Sequence, residues 1–416
     1  MHDVIGWAGE VPATTTPRNH VSDLRGVSRL AVDATAGVTG LVEAMHVDIA
    51  RMPTKLGGPL IGGAVNGITW LVYRAIQGVT RAAGWSIDSV LAQLVPMIGH
   101  LDSSPSREAV VAALNGVLGD HLAETNNPLA ITMQWRSNGT PLTLTPEGLA
   151  AALPRRSPKI VVLLHGLCMN DLQWTRQGHN HGATLDRDLG YTPVYLHYNS
   201  GQHISTNGQA FTAMLEALVA AWPVPVKELA IVAHSMGGLV ARSAHHYATV
   251  RGHTWRHRLR KLVFLGTPHH GAVLERGGHG LQRLVGQIPY VAPLARLGKI
   301  RSSGITDLRH GSLLDEDWHG CDRFAHGEDA RRPVPLPEGV GCFAVGATTA
   351  GAPSDRLGRF LGDGLVPLPS ALGRHRDPQF TLPFPETHQW VACQTSHFDL
   401  LSRPQVYERI RAWLAR

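Results

Sequence analysis

The feature that most constrains this chain is an apolar run, residues 229–233 (LAIVA), that passes without a break into His234, Ser235, Met236, Gly237 and Gly238 and then into a helical pattern at 237–248. A continuous run of β-branched and aliphatic residues suits a parallel strand covered on both faces. Ser235 therefore falls on a sharp turn between strand and helix, with its hydroxyl standing clear of both. Such a turn needs small residues two before and two after the serine, since the backbone doubles back there, and Ala233 and Gly237 meet that need. Ser235 is the candidate nucleophile; the plainer reading is an ordinary serine at a helix start.

The same alternation runs through the second part of the chain. Apolar runs at 160–164, 194–197, 262–265, 340–345 and 389–393 read as further strands, with helical patterns at 208–221 and 403–414. Strands alternating with helices predict an α/β fold with a mostly parallel, doubly wound sheet. Residues 267–339 interrupt the alternation with a Gly-, His-, Arg- and Pro-rich stretch, expected to be a cap or lid insertion over the mouth of the site. Within it, residues 281–297 are amphipathic, as a mobile lid or a fixed cap helix would be.

The first part differs in texture. Residues 27–51, 61–83, 87–98 and 106–121 carry Ala, Leu and Val at helical spacing, interrupted by prolines. Residues 129–136 and 142–145 read as two strands around an Asn-Gly turn. The expected division is a helical region, 1–125, and a catalytic domain, 126–416. Residues 49–87 contain no acidic side chain but hold Arg51, Lys55, Arg74 and Arg81 with Trp70, Tyr73 and Trp85. That mixture suits peripheral docking to a lipid surface; a helical subdomain packed on the core is the favoured alternative.

Composition excludes several other classes. The 416 residues carry 38 Lys and Arg against 32 Asp and Glu, but the basic residues are scattered and join no nucleic-acid-binding motif, so no nucleic-acid partner is expected. The four cysteines are too far apart for a zinc site or a disulfide framework. No secretory leader is visible, and 57–79, the most apolar stretch, is too polar to span a membrane. A reducing, cytoplasmic setting is expected.

A serine hydroxyl needs a base, and the base needs a carboxylate to orient it. With 24 histidines, composition cannot choose among them. Chain order can, because the acid and then the base follow a serine on this kind of turn. His397, in a loop after the 389–393 run, is the expected base. Asp363, between Gly362 and Gly364, is the expected acid; Asp355 and Asp377 sit among arginines and read as solvated charges. The developing oxyanion needs rigid backbone donors. Met236, next after the nucleophile, and Leu167, in the loop after 160–164, are expected to supply their N–H groups, with His165 bracing that loop.

In order along the chain, VVLLHGLCMND, IVAHSMGGLVAR, FLGTPHHGA, GDGLVP and TSHFDLL resemble lipases and esterases of the α/β-hydrolase superfamily. They look closest to bacterial triacylglycerol lipases and to relatives similar to GPI-inositol deacylases. The resemblance covers residue 159 to the C-terminus. It implies hydrolysis of ester or lipid substrates through an acyl-enzyme, without a cofactor, and a structural role for the 265–269 loop. Some lipases of this kind bind zinc or calcium, but His179 with His181 and His269 with His270 reproduce no ligand set, so no metal is expected. An acyltransferase using the same three residues remains an alternative. A non-catalytic binding protein of this fold would be expected to have lost one of them.

Overall fold

The computed structural model describes residues 105–272, 302–320, 329, 331–352 and 362–416. The strands are β1 (Gln134–Ser137), β2 (Thr140–Pro141), β3 (Lys159–Leu164), β4 (Thr192–His197), β5 (Glu228–His234), β6 (Leu259–Leu265), β7 (Gly341–Thr348) and β8 (Gln389–Cys393). They form one sheet in the order β2-β1-β4-β3-β5-β6-β7-β8. The pairs from β4 through β3 to β8 are parallel, and β1 runs antiparallel to both β2 and β4. This is the mostly parallel sheet that the alternation predicts and that the resemblance to α/β-hydrolases implies.

Both faces are covered, which is why the central strands are apolar on both sides between their ends. Ile160, Val162, Leu164, Leu229, Ile231 and Ala233 pack on one side. Val161, Leu163, Ala230 and Val232 pack on the other. Helix α1 (Pro105–Glu124) packs on the first side. After the short α2 (Pro146–Ala152) come α3 (His181–Leu189), α4 (Ile204–Ala221) and α5 (Met236–Arg251). Of these, α4 and α5 cover the first face, while Leu185 of α3 covers the second. Two short helices, α6 (Ser303–Asp307) and α7 (Leu368–Ala371), precede the last, α8 (Pro404–Leu414). Val406, Tyr407, Ile410 and Trp413 of α8 complete the second layer.

The hairpin is tighter than its sequence suggests. Asn138 and Gly139 take φ of 49° and 79°, as a type I′ turn requires, but the second strand is only Thr140–Pro141. Pro141 has no N–H for a ladder, and Thr145 is diverted to cap α2. Its hydroxyl accepts from Gly148 N at 3.0 Å, with Pro146 in the first turn, where a missing N–H costs nothing. The expected second strand at 142–145 therefore gives way to the approach to this helix.

The insertion is described at 267–272, 302–320, 329 and 331–339, whereas the amphipathic 281–297 stretch lies outside the described residues. What is described is bonded to the core. Ser302 Oγ donates to Gly116 O at 2.6 Å, Ser303 N to Asp120 Oδ2 at 2.9 Å and Ala272 N to Leu308 O at 3.0 Å. Residues 49–87 and the first three expected N-terminal helices also lie outside the described residues. No helix among the described residues is long and apolar enough to cross a membrane.

Candidate active site

Ser235 sits between the end of β5 and the first residue of α5 with φ 55° and ψ −128°, a conformation that L-residues avoid unless their surroundings impose it. Here Ser235 N donates to Leu265 O at 2.8 Å and Gly238 N to Ser235 O at 3.0 Å. The end of β3 adds a second reason for Gly237: a methyl group there would lie 2.6 Å from His165 O and 2.8 Å from Leu164 O. Only glycine lets α5 start this close to the neighbouring strand.

Asp363 and His397 meet on the loops that follow β7 and β8. Gly362 and Gly364 flank the aspartate at φ 54° and 95°, and the turn they allow aims the carboxylate inward. Asp363 Oδ1 accepts from Leu365 N at 3.0 Å and Val366 N at 2.8 Å, which leaves Oδ2 for the histidine. His397 Nδ1 donates to that oxygen at 2.7 Å, and both side chains are buried. His397 N also donates to Asp363 O, at 3.1 Å. The rival Asp377 instead caps a 3-10 turn, accepting from Gln379 N at 3.0 Å. Asp355 lies outside the described residues.

Ser235 and His397 line one narrow cleft of about 20 Å³. Its other walls include Leu167, Met169, Leu308, Leu365 and Phe398. These walls are almost wholly apolar. Leu167 faces the cleft after β3, and Met236 opens α5, where the first amides of a helix have no partner within it.

The loop carrying Leu167 is held from behind. His165 is fully buried, and burial pulls its pKa down to about 3, so the ring is neutral. Its Nδ1–H donates to Gly166 O at 2.9 Å, its ring stacks on Tyr198 at 4.3 Å, and Tyr198 Oη donates to His165 O at 2.8 Å. Gly166 is required by a close approach: a methyl group there would lie 2.9 Å from Ser235 Cβ.

Two supports escape a reading of the sequence. Burial keeps His234 neutral, with a pKa well below its ordinary value, and its Nε2–H donates to His397 O at 3.1 Å. His181, pulled by burial to about 4, donates from Nε2 to Leu400 O at 2.9 Å in the turn just after His397. His179 Nε2 lies 2.7 Å from His181 Nδ1, so this His-x-His pair is joined to itself. Among the described residues no three His, Cys, Asp or Glu side chains gather as a metal site would require. Cys168, Cys342 and Cys393 are free thiols.

Residues 157–331 match the family model of the PGAP1-like alpha/beta domain. Among solved structures, the chain is similar to the mature form of the Bacillus licheniformis lipase BlEst2, at 18% identity and TM-score 0.41, over 68% of this chain and 97% of that one. It is similar to Aspergillus fumigatus lipase B at 11% identity and TM-score 0.42, over 93% of this chain and 83% of that one. It is also similar to the Pyrococcus furiosus esterase Pf2001, at 14% identity and TM-score 0.37, over 62% of this chain and 81% of that one. A search of curated proteins returns no match. The matched domain, the mostly parallel sheet and the elbow between β5 and α5 together give the chain an α/β-hydrolase fold, of which residues 157–331 carry the PGAP1-like alpha/beta domain.

Proposed function

We propose that this protein hydrolyses carboxylic esters, with Ser235 as nucleophile, His397 as base and Asp363 as the acid that orients it. The observation that carries this reading is the buried Asp363–His397 pair, at 2.7 Å, opening onto the cleft that Ser235 also lines. Ser235 Oγ attacks the ester carbonyl as its proton passes to His397 Nε2. Asp363 holds the opposite ring nitrogen and stabilises the imidazolium. The N–H groups of Leu167 and Met236 are the donors for the tetrahedral oxyanion. Collapse breaks the ester bond, His397 returns the proton to the departing alcohol, and an acyl group remains on Ser235. Water, deprotonated by His397, then releases the acid and restores the serine. The apolar cleft walls suit the acyl part of the substrate.

The test is a series of p-nitrophenyl esters of increasing chain length, assayed with the wild-type protein and with Ser235→Ala. Hydrolysis is expected only with the serine present, accompanied by a fluorophosphonate adduct on Ser235. Full activity in the alanine variant would sink the mechanism.

A further inference from the structure

A second cavity of about 110 Å³ adjoins the site on the far side of the loop after β6. Pro268 of this loop lines the catalytic cleft, and His270, two residues on, lines the second cavity. Arg242 of α5, Arg331, Arg332, Gln379 and Thr381 complete its polar lining. A single water needs roughly 10–15 Å³ on this kind of measure, so the space accommodates several waters or one tetrahedral anion.

The charge balance of the lining is uneven. Arg331 is 8% exposed, and its Nε faces both oxygens of Asp329 at 3.0 and 3.1 Å. Arg332 is at the rim, with Nη1 3.7 Å from Glu316. Arg242 is 4% exposed and meets no carboxylate among the described residues. Its Nη2 donates to Val334 O, its Nη1 lies 3.4 Å from His269 Nδ1, and its Nε has no partner. Burial, and then the neighbouring Arg331 charge, pull its pKa down to about 9, so it is still cationic at neutral pH. Burial keeps His269 and His270 neutral, so the adjacent rings add no charge of either sign. Burying a cation without a counter-charge is costly, and fixed guanidinium forks match oxyanions.

We infer that the cavity beside Arg242 binds an oxyanion of the phosphate class. An anion seated there neutralises Arg242, relieves its repulsion from Arg331 and engages donors from several directions, as a tetrahedral group requires. The ligand is either free phosphate or the phosphate of a lipid headgroup whose remainder reaches past Pro268 into the cleft. The inference stands apart from the hydrolytic reading, because the binding needs neither Ser235 nor His397.

The experiment is titration calorimetry with thermal melting of the full chain, using inorganic phosphate and, separately, a short-chain phosphatidic acid. Wild type, Ser235→Ala, Arg332→Ala and Arg242→Gln are compared. Phosphate is expected to bind wild type and Ser235→Ala alike and to raise their melting temperature. Arg332→Ala should weaken binding several-fold, and Arg242→Gln should abolish it. Binding of the lipid at least tenfold tighter than phosphate assigns the headgroup; equal or weaker binding assigns the free anion. Absence of phosphate binding in wild type, or equal affinity in wild type and the folded Arg332→Ala variant, overturns the inference.

Discussion

Asp363 and His397 are tied twice: the histidine ring donates to the aspartate side chain at 2.7 Å, and the histidine main-chain N–H donates to the aspartate carbonyl at 3.1 Å. The second bond fixes the spacing of the two loops whatever the side chains do. Asp363→Asn should therefore keep the fold, since its Oδ1 can still accept from Leu365 and Val366. The amide would favour the wrong ring tautomer, and kcat is expected to fall about 10⁴-fold. Steady-state kinetics on a p-nitrophenyl ester, with a melting curve for each protein, checks both halves.

Gly266 backs this pair at φ 58°. A methyl group there would lie 3.1 Å from His397 Cε1, 3.1 Å from Asp363 Oδ2 and 2.8 Å from Leu400 Cδ1. Gly266→Ala should displace the imidazole and reduce kcat on the order of 10²-fold, as sub-ångström to 1 Å misplacements do. KM should change less than kcat, because the apolar walls of the cleft are untouched. Strain at positive φ should also cost about 1–2 kcal/mol of stability, read from urea unfolding.

The strained elbow makes its own prediction. Ser235→Ala and Ser235→Gly should both lose activity by a factor on the order of 10⁴ or more. Glycine accepts φ 55° without penalty, so the glycine variant should be more stable than the alanine variant by about 1 kcal/mol. Equal midpoints in urea would mean that the elbow stores no strain.

Acid should destabilise the fold well before carboxylates titrate. Burial pulls His165, His181 and His270 down to about 3, about 4 and about 3. In the unfolded chain these rings take up protons near pH 6.5, so it binds more protons than the native state below that point. Stability is complete above about pH 6.5 and is lost as pH falls towards the folded values, at about 1.4 kcal/mol per pH unit for each such ring. Urea midpoints measured from about pH 7 to about pH 5 should show this slope. His181→Gln, whose amide can still donate to Leu400 O, should reduce it by about one proton.

Much of the sheet is legible because its strands are apolar on both faces and follow one another in a regular alternation with helices. The choice of Ser235, Asp363 and His397 as candidates rests on the elbow and on chain order, and the structure brings the last two together at 2.7 Å. The reason Asp363 turns inward is local, lying in the positive φ of its two glycine neighbours. The cleft walls are less legible. Leu308 follows the five-residue helix α6, and its place at the site comes from tertiary bonds such as Ala272 N to Leu308 O rather than from any periodicity. Helix α2 had a visible signal, Thr145 before Pro146, which competed with the strand reading of the same residues. His234 and His181 could not be singled out among 24 histidines, because their roles depend on carbonyls more than 160 residues away in sequence.

The contact between α1 and the loops below it bears on where the working molecule begins. A methyl group at Gly116 would lie 2.1 Å from Cys168 Sγ, one at Gly119 would lie 1.9 Å from Asn199 Oδ1, and one at Gly201 would lie 2.0 Å from Asn115 O. Cys168 adjoins Leu167, so α1 rests against the back of the proposed oxyanion loop. A shortened chain starting at residue 126 would strip that wall away, wet the underside of the loop and expose Leu114, Val117 and Leu122 sites as an unfilled trough. The packing behind the proposed oxyanion loop thus includes helix α1, which lies upstream of the first residue of the matched domain.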